Sequence, residues 1–151
     1  MDQTDKKILQ LLQKDATLTH KQLAGLLNLS ITPIHERIKR LERSGVINKY
    51  VALLSPEKVN KTLKAFTNVT LKEHSKSYLL QFESDIKNIQ EVVECYHIAG
   101  VFDYLLKIMV SDMNEYQSVI MNKLATMENI HNVQSSFVMT EVIHSTEVPL
   151  Q

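Results

Sequence analysis

Between Thr32 and Arg43 the chain gathers Thr32, His35, Glu36, Lys39, Arg40 and Arg43, short hydrogen-bonding side chains followed by long cations. Ile34, Ile38 and Leu41 recur among them at i, i+4 and i+7. If the stretch is a helix, those three face inward, and at about 100° per residue the polar set faces out. Such a face suits duplex DNA: the early side chains can reach base edges in the major groove, and the later cations can reach phosphates on its wall. Thr32, His35 and Glu36 are therefore the expected base readers, with Lys39, Arg40 and Arg43 on phosphates. A plain solvated amphipathic helix has the same surface pattern, so the elements around it carry the decision.

Those elements begin at Thr19, which with Gln22 fits a capping box and predicts a helix from His20. Leu23 and Leu27 share its inner face, Ala24 permits close approach, and Asn28 can take the left-handed conformation that ends a helix. Asn28, Leu29 and Ser30 then form the turn, with Leu29 expected to plug the space between two helices. Ser30 or Thr32 would cap the next helix, and Pro33 is tolerated in its first turn. This order of roles is that of a helix-turn-helix. Thr19, Lys21 and Ser30 would lie against the DNA backbone beside the groove. Residues 2–14 predict a first helix whose Ile8, Leu9, Leu11 and Leu12 cover the other two. Gly45 fits a left-handed stop, and residues 46–53 read as a connecting strand.

The 151 residues allow one ordinary domain or two small ones. With 44% hydrophobic residues and only three glycines and three prolines, long disorder is not expected. A single cysteine, Cys95, excludes an intramolecular disulfide. No apolar run approaches the roughly 20 residues of a membrane span, and the first residues lack a basic signal-peptide region; a cytoplasmic setting is expected. Net charge is zero, yet residues 1–50 hold nine Lys/Arg against five Asp/Glu, net +4, and residues 51–151 hold eight against twelve, net −4. That asymmetry points to one nucleic-acid-binding half and one half with another task.

The second half reads as strand (64–71), helix (77–86), two strands (92–99 and 102–110) divided by Gly100-Val101, a helix opened by a capping box of Asp112 and Glu115, and a last strand (130–142). The order β-α-β-β-α-β is the ferredoxin-like arrangement, two helices on one face of a four-stranded antiparallel sheet. The fold class is thus α+β: a three-helix helix-turn-helix domain over 1–45, a strand linker over 46–62 and a ferredoxin-like domain over 63–151. Phe66, Tyr104, Leu106, Ile108, Phe137 and Met139 exceed what one covered sheet face requires, so a second copy is expected on the open face. Two recognition helices could then read half-sites about one helical turn apart.

Two segments, DKKILQLLQKDATLTHKQLAGLLNLSITPIHERIKRLERSGVINKYVALLSP and ECYHIAGVFDYLLKIMVSDMNEY, resemble the Lrp/AsnC family of leucine-responsive, feast/famine transcriptional regulators. The resemblance implies a DNA-binding helix-turn-helix joined by a strand to a sheet domain that binds amino acids, and homodimers that assemble into tetramers or octamers. It implies that an amino-acid effector sits between neighbouring dimers near the loop between the second and third sheet strands. In this chain that loop is Ala99, Gly100, Val101, Phe102 and Asp103, with His97, Met113, Ser136, Phe137 and Val138 nearby. This sequence departs from the family at Val101, where many members carry an acidic or amide residue, and at Lys49, where many carry glycine.

Asp103 keeps two readings, a hydrogen-bonding brace of the hairpin or a partner for an amino acid's ammonium. Cys95 and His97 share a strand face, but two ligands do not make a metal site, and a packed free cysteine with an ordinary histidine is the expectation. Met109, Met113, Met121, Met127 and Met139 are expected to pack. No nucleophile turn, phosphate loop or carboxylate pair supports catalysis, and no cofactor is expected. The other reading is an architectural protein that wraps DNA without an effector.

Overall fold

In the computed structural model, residues 1–150 are described. They form two compact units, Met1–Leu53 with residues 142–150, and Leu54–Glu141.

The helical unit holds α1 (Gln3–Lys14), α2 (His20–Leu27) and α3 (Ile31–Arg43). A capping box starts α1, in which the Asp5 N–H donates to Asp2 Oδ1 at 2.9 Å and the Asp2 N–H to Asp5 Oδ2 at 3.0 Å. The box at α2 is also formed: the Gln22 N–H donates to Thr19 Oγ1 and the Thr19 N–H to Gln22 Oε1. Asn28 takes the left-handed conformation, φ 53°. Ser30 occupies the N-cap of α3 without a side-chain cap bond. Ile8, Leu12, Leu23, Ala24, Ile34 and Ile38 make the core, with Leu27 and Ile47 packed on it. Leu29 is not the expected plug. It is 41% exposed, because Leu23, Ala24 and Ile34 already fill the space between the helices.

After α3, Gly45 turns at φ +75° and the Ile47 N–H returns to the Leu41 carbonyl. Residues 46–53 are not a strand; they have no ladder partner among the described residues. From Val142 the tail groups with the helical unit, where Gln13 clamps one peptide of it: the Val148 N–H donates to Gln13 Oε1 at 2.5 Å, and Gln13 Nε2 donates to the Val148 carbonyl at 3.2 Å.

The sheet unit contains β1 (Leu63–Leu71), α4 (Lys76–Ile86), β2 (Val92–His97), β3 (Tyr104–Val110), α5 (Met113–Val119), which continues into a π turn (Ile120–Leu124), and β4 (Ile130–Phe137). Strand order is β2-β3-β1-β4, all antiparallel. This is the expected βαββαβ arrangement, with shorter strands at 92–97, 104–110 and 130–137.

Strand alternation sends Ala65, Val69, Leu71, Leu106, Ile108 and Val110 to the covered face, where Phe82, Ile86, Val119 and Leu124 meet them. Tyr104, Leu106 and Ile108 are therefore not surplus; each is at most 1% exposed inside this core. Phe137 lies on the same side, its ring 4.9 Å from that of Tyr116. On the other face stand Phe66, Leu105 and Met109, with Tyr96 opposite Leu105. The methionine expectation also changes: Met127 packs on the core, whereas Met113, Met121 and Met139 are exposed at 44, 67 and 95%.

Candidate nucleic-acid interface and loop site

The face of α3 is set by its three buried residues, Ile34, Ile38 and Leu41. Thr32, Glu36, Lys39, Arg40 and Arg43 are exposed and His35 is half-buried, so the helix presents the polar set outward. Lys21 and Ser30 are exposed as well. Thr19 is exposed but engaged, its hydroxyl donating to Gln22 Oε1 at 2.7 Å.

Four members of the set have internal partners that the spacing did not reveal, Arg43 among them, its Nε donating to the Lys39 carbonyl at 3.3 Å. His35 Nδ1 lies 3.4 Å from His20 Nδ1 on α2, with the rings edge to face. Lys39 is near Glu42, at 3.7 Å, a surface pair that leaves it available. Arg40 is held by Asp5 of α1, its Nη2 donating to both carboxylate oxygens at 2.8 and 2.7 Å. Arg37 closes the same cluster, its Nη1 donating to Asp2 at 2.6 Å and Asp5 at 2.7 Å.

Burial alone would raise the Asp5 carboxyl, which is 1% exposed, but the Asp2 backbone N–H and the Arg37 guanidinium outweigh it and hold it below the ordinary value. Asp5 and Arg37 are partners of the α3 polar set that sequence reading missed. Their signal was the pair of i, i+3 spacings, Asp2/Asp5 and Arg37/Arg40, on two helices of one bundle.

The second candidate site is the connection between β2 and β3. The Ile98 N–H donates to the Asp103 carbonyl at 2.9 Å and the Asp103 N–H to the Val69 carbonyl at 3.0 Å, which folds the loop back on β1. Gly100 supplies φ +147°, which side-chain-bearing residues rarely adopt. Val101 stands at the tip, 87% exposed. The Asp103 carboxylate takes the Leu71 N–H at 2.7 Å and faces His74 Nε2 at 3.0 Å. Burial raises this carboxyl, and the Leu71 N–H with His74 outweighs that, leaving it below the ordinary value. Asp103 is thus a brace in this structure, and His74, which the sequence did not flag, is its partner. His97 ends β2 and stacks on Tyr104 at 4.7 Å. Cys95 is exposed on the edge strand, not packed.

The expected effector residues do not converge within one chain. His97, Ala99, Gly100, Val101 and Asp103 lie where β1 reaches Val69. Ser136 and Phe137 pair with Phe66 and Ala65, and the Val138 N–H donates to the Lys64 carbonyl. Met113 follows Val110, which pairs with Leu63 at that same end. Ala65 and Val69 are about 13 Å apart along the strand, so the two groups occupy opposite ends of the sheet.

Residues 1–48 match the winged helix-turn-helix DNA-binding family, and residues 64–148 match the Lrp/AsnC ligand binding domain. Among curated relatives, the chain is 35% identical to the DNA-binding transcriptional activator DecR of Escherichia coli (strain K12), covering 100% of this chain and 99% of that protein. It is also 35% identical to the leucine-responsive regulatory protein of Klebsiella pneumoniae, over 100% and 92% of the two chains. Among solved structures, an AsnC family transcriptional regulator from Agrobacterium tumefaciens is 40% identical, TM-score 0.94, over 99% and 97% of the chains. A transcriptional regulator from Neisseria meningitidis in complex with L-methionine is 38% identical, TM-score 0.95, over 99% and 96%. With both halves matched in order and relatives aligned from end to end, the chain belongs to the Lrp/AsnC family of transcriptional regulators.

Proposed function

We propose that this protein is a cytoplasmic transcriptional regulator that binds specific double-stranded DNA through the outer face of α3 and is modulated by an amino acid. The carrying observation is that face itself: Ile34, Ile38 and Leu41 buried, and Thr32, Glu36, Lys39 and Arg43 exposed in one line. Thr32, His35 and Glu36 read base edges. Lys39, Arg40 and Arg43 contact phosphates, and Thr19, Lys21 and Ser30 lie along the backbone.

Copies of the chain pair through the helix-free sheet face, where Phe66 and Tyr96 are 36% and 50% exposed, and dimers assemble further. Assembly also supports the effector reading. The loop group with Val101 and Asp103 and the edge group with Met113, Ser136, Phe137 and Val138 lie too far apart to share one small ligand within a chain. An amino acid that touches both must lie between copies. The apolar Val101 and the already engaged Asp103 favour a ligand held by backbone groups and apolar contacts.

The test combines footprinting with a thermal-shift screen of the twenty amino acids. A discrete protected site on promoter DNA, absent on random DNA, is expected. One amino acid at a hundred times its dissociation constant should stabilise the protein by about 2.7 kcal/mol. Uniform protection of both DNAs with no responsive amino acid would instead identify an architectural wrapping protein.

A further inference from the structure

Resting on the DNA-binding reading above, we propose that Asp5, a residue of α1, is a positioning residue for DNA binding: it aims Arg40 so that Arg40 and Arg43 together seat one backbone phosphate. Asp5 is the most buried charge of the helical unit, 1% exposed. Both of its oxygens take the same nitrogen, Nη2 of Arg40, while Oδ1 also takes Nη1 of Arg37. Arg37 is turned inward by this cluster, with Asp2 as its second anchor, and its side chain is 26% exposed. The Arg40 side chain, by contrast, is 58% exposed.

A guanidinium carries five N–H groups in a rigid fork. Committing Nη2 to Asp5 leaves the Nη1 and Nε edges for an outside acceptor and fixes their direction. Arg40 lines a shallow depression of about 350 Å³ together with Pro33, Glu36, Arg37 and Arg43. Arg43 stands one turn along the helix from Arg40, exposed, its Nε donating to the Lys39 carbonyl at 3.3 Å. Two guanidiniums lining one depression match a phosphate, which accepts paired N–H bonds from such forks.

Stability alone does not account for the cluster. A buried ion pair roughly balances its own desolvation, and apolar residues of similar size serve a core as well or better. What Asp5 adds is order: Arg40 has already lost its rotamer freedom before DNA arrives, so docking does not lose it again.

The experiment measures the salt dependence of binding to a fixed duplex of random sequence, because phosphate contacts are independent of sequence. Each lost phosphate contact should lower the magnitude of the log–log slope by about 0.9. Arg40→Gln is expected to lower it by one contact, Asp5→Asn by the same amount in protein shown folded by circular dichroism, and the double variant by no more than either. An additive double variant, or folded Asp5→Asn with the unaltered slope, would overturn the positioning role. Asp5→Asn removes one partner of a buried pair and can unfold the unit, so Asp5→Glu carries the same question with the charge kept. Its carboxylate is displaced by one methylene, and the slope should again fall; a folded Asp5→Glu that keeps the slope also overturns the proposal. Lys39→Ala separates the two levels. If it lowers the slope while the Asp5 variants do not, only the positioning role fails, and if neither Lys39→Ala nor Arg40→Gln alters it, the α3 docking face fails and the positioning role with it.

Discussion

Asp103 illustrates how a single side chain can be claimed by structure before any ligand reaches it. Its carboxylate accepts the Leu71 N–H at 2.7 Å and pairs with His74, and the side chain is 20% exposed. Replacing it with alanine strands a backbone N–H at the end of β1, and an unmet donor of that kind costs about 1–3 kcal/mol. Asp103→Ala should therefore lower urea-denaturation stability by that amount, with Asp103→Asn losing less because its side-chain oxygen still accepts. Unchanged denaturation midpoints for Asp103→Ala would show that the brace carries no energy. Loss of amino-acid response in Asp103→Ala alone is then ambiguous, and the asparagine variant is the cleaner probe of ligand contact.

At the scale of elements, the start of α5 shows a capping pattern only half realised as the sequence predicts. Asp112 accepts the Glu115 N–H at 2.9 Å, but Glu115 does not return to the cap residue. It accepts from Lys61 Nζ and from the Ser111 N–H, both at 2.6 Å, and so ties the helix to the segment entering β1. Lys61 first, and then Ser111, hold the Glu115 carboxyl down at about 2. A folded-state value below the unfolded one stabilises the protein above the unfolded value of 4.5, and that stability is lost as pH falls toward 2. Glu115→Gln should consequently be less stable than the parent at pH 7, with the gap closing between about pH 4.5 and 2. Thermal unfolding across that range measures it, and a gap independent of pH would assign the effect to packing instead.

For the whole molecule, charge and apolar surface divide the labour. The first 50 residues are net +4 and the rest net −4. The basic unit carries the helix-turn-helix, whereas the acidic unit carries a sheet with one face lacking helices. Phe66→Asp at the centre of that face places a charge where a second copy would have to bury it, which is costly without a partner. Sedimentation should show a dimer converted to monomer, with DNA affinity falling because one half-site contact is lost. A Phe66→Asp protein that remains dimeric would move the interface elsewhere on the sheet unit.

Local signals in this chain were legible because they depend on neighbours three or four residues away. Thr19 with Gln22, Asn28, Gly45 and the Ile34/Ile38/Leu41 stripe determined the helix-turn-helix, and strand-like runs rich in β-branched and aromatic residues, divided by the Gly100-Val101 turn signal and two helical stretches, determined the βαββαβ order. Contacts between residues distant in sequence were not legible. Asp5 with Arg37 and Arg40, His74 with Asp103, Lys61 with Glu115 and Gln13 with Val148 each pair groups whose separation only the folded chain closes. The same reason governs residues 46–53: their propensity is for a strand, but a strand needs a partner ladder, and among the described residues none pairs with them. Sequence by itself determined which elements form and which faces they bury; tertiary structure alone decided which charged side chains are already spoken for and which remain open to DNA or ligand.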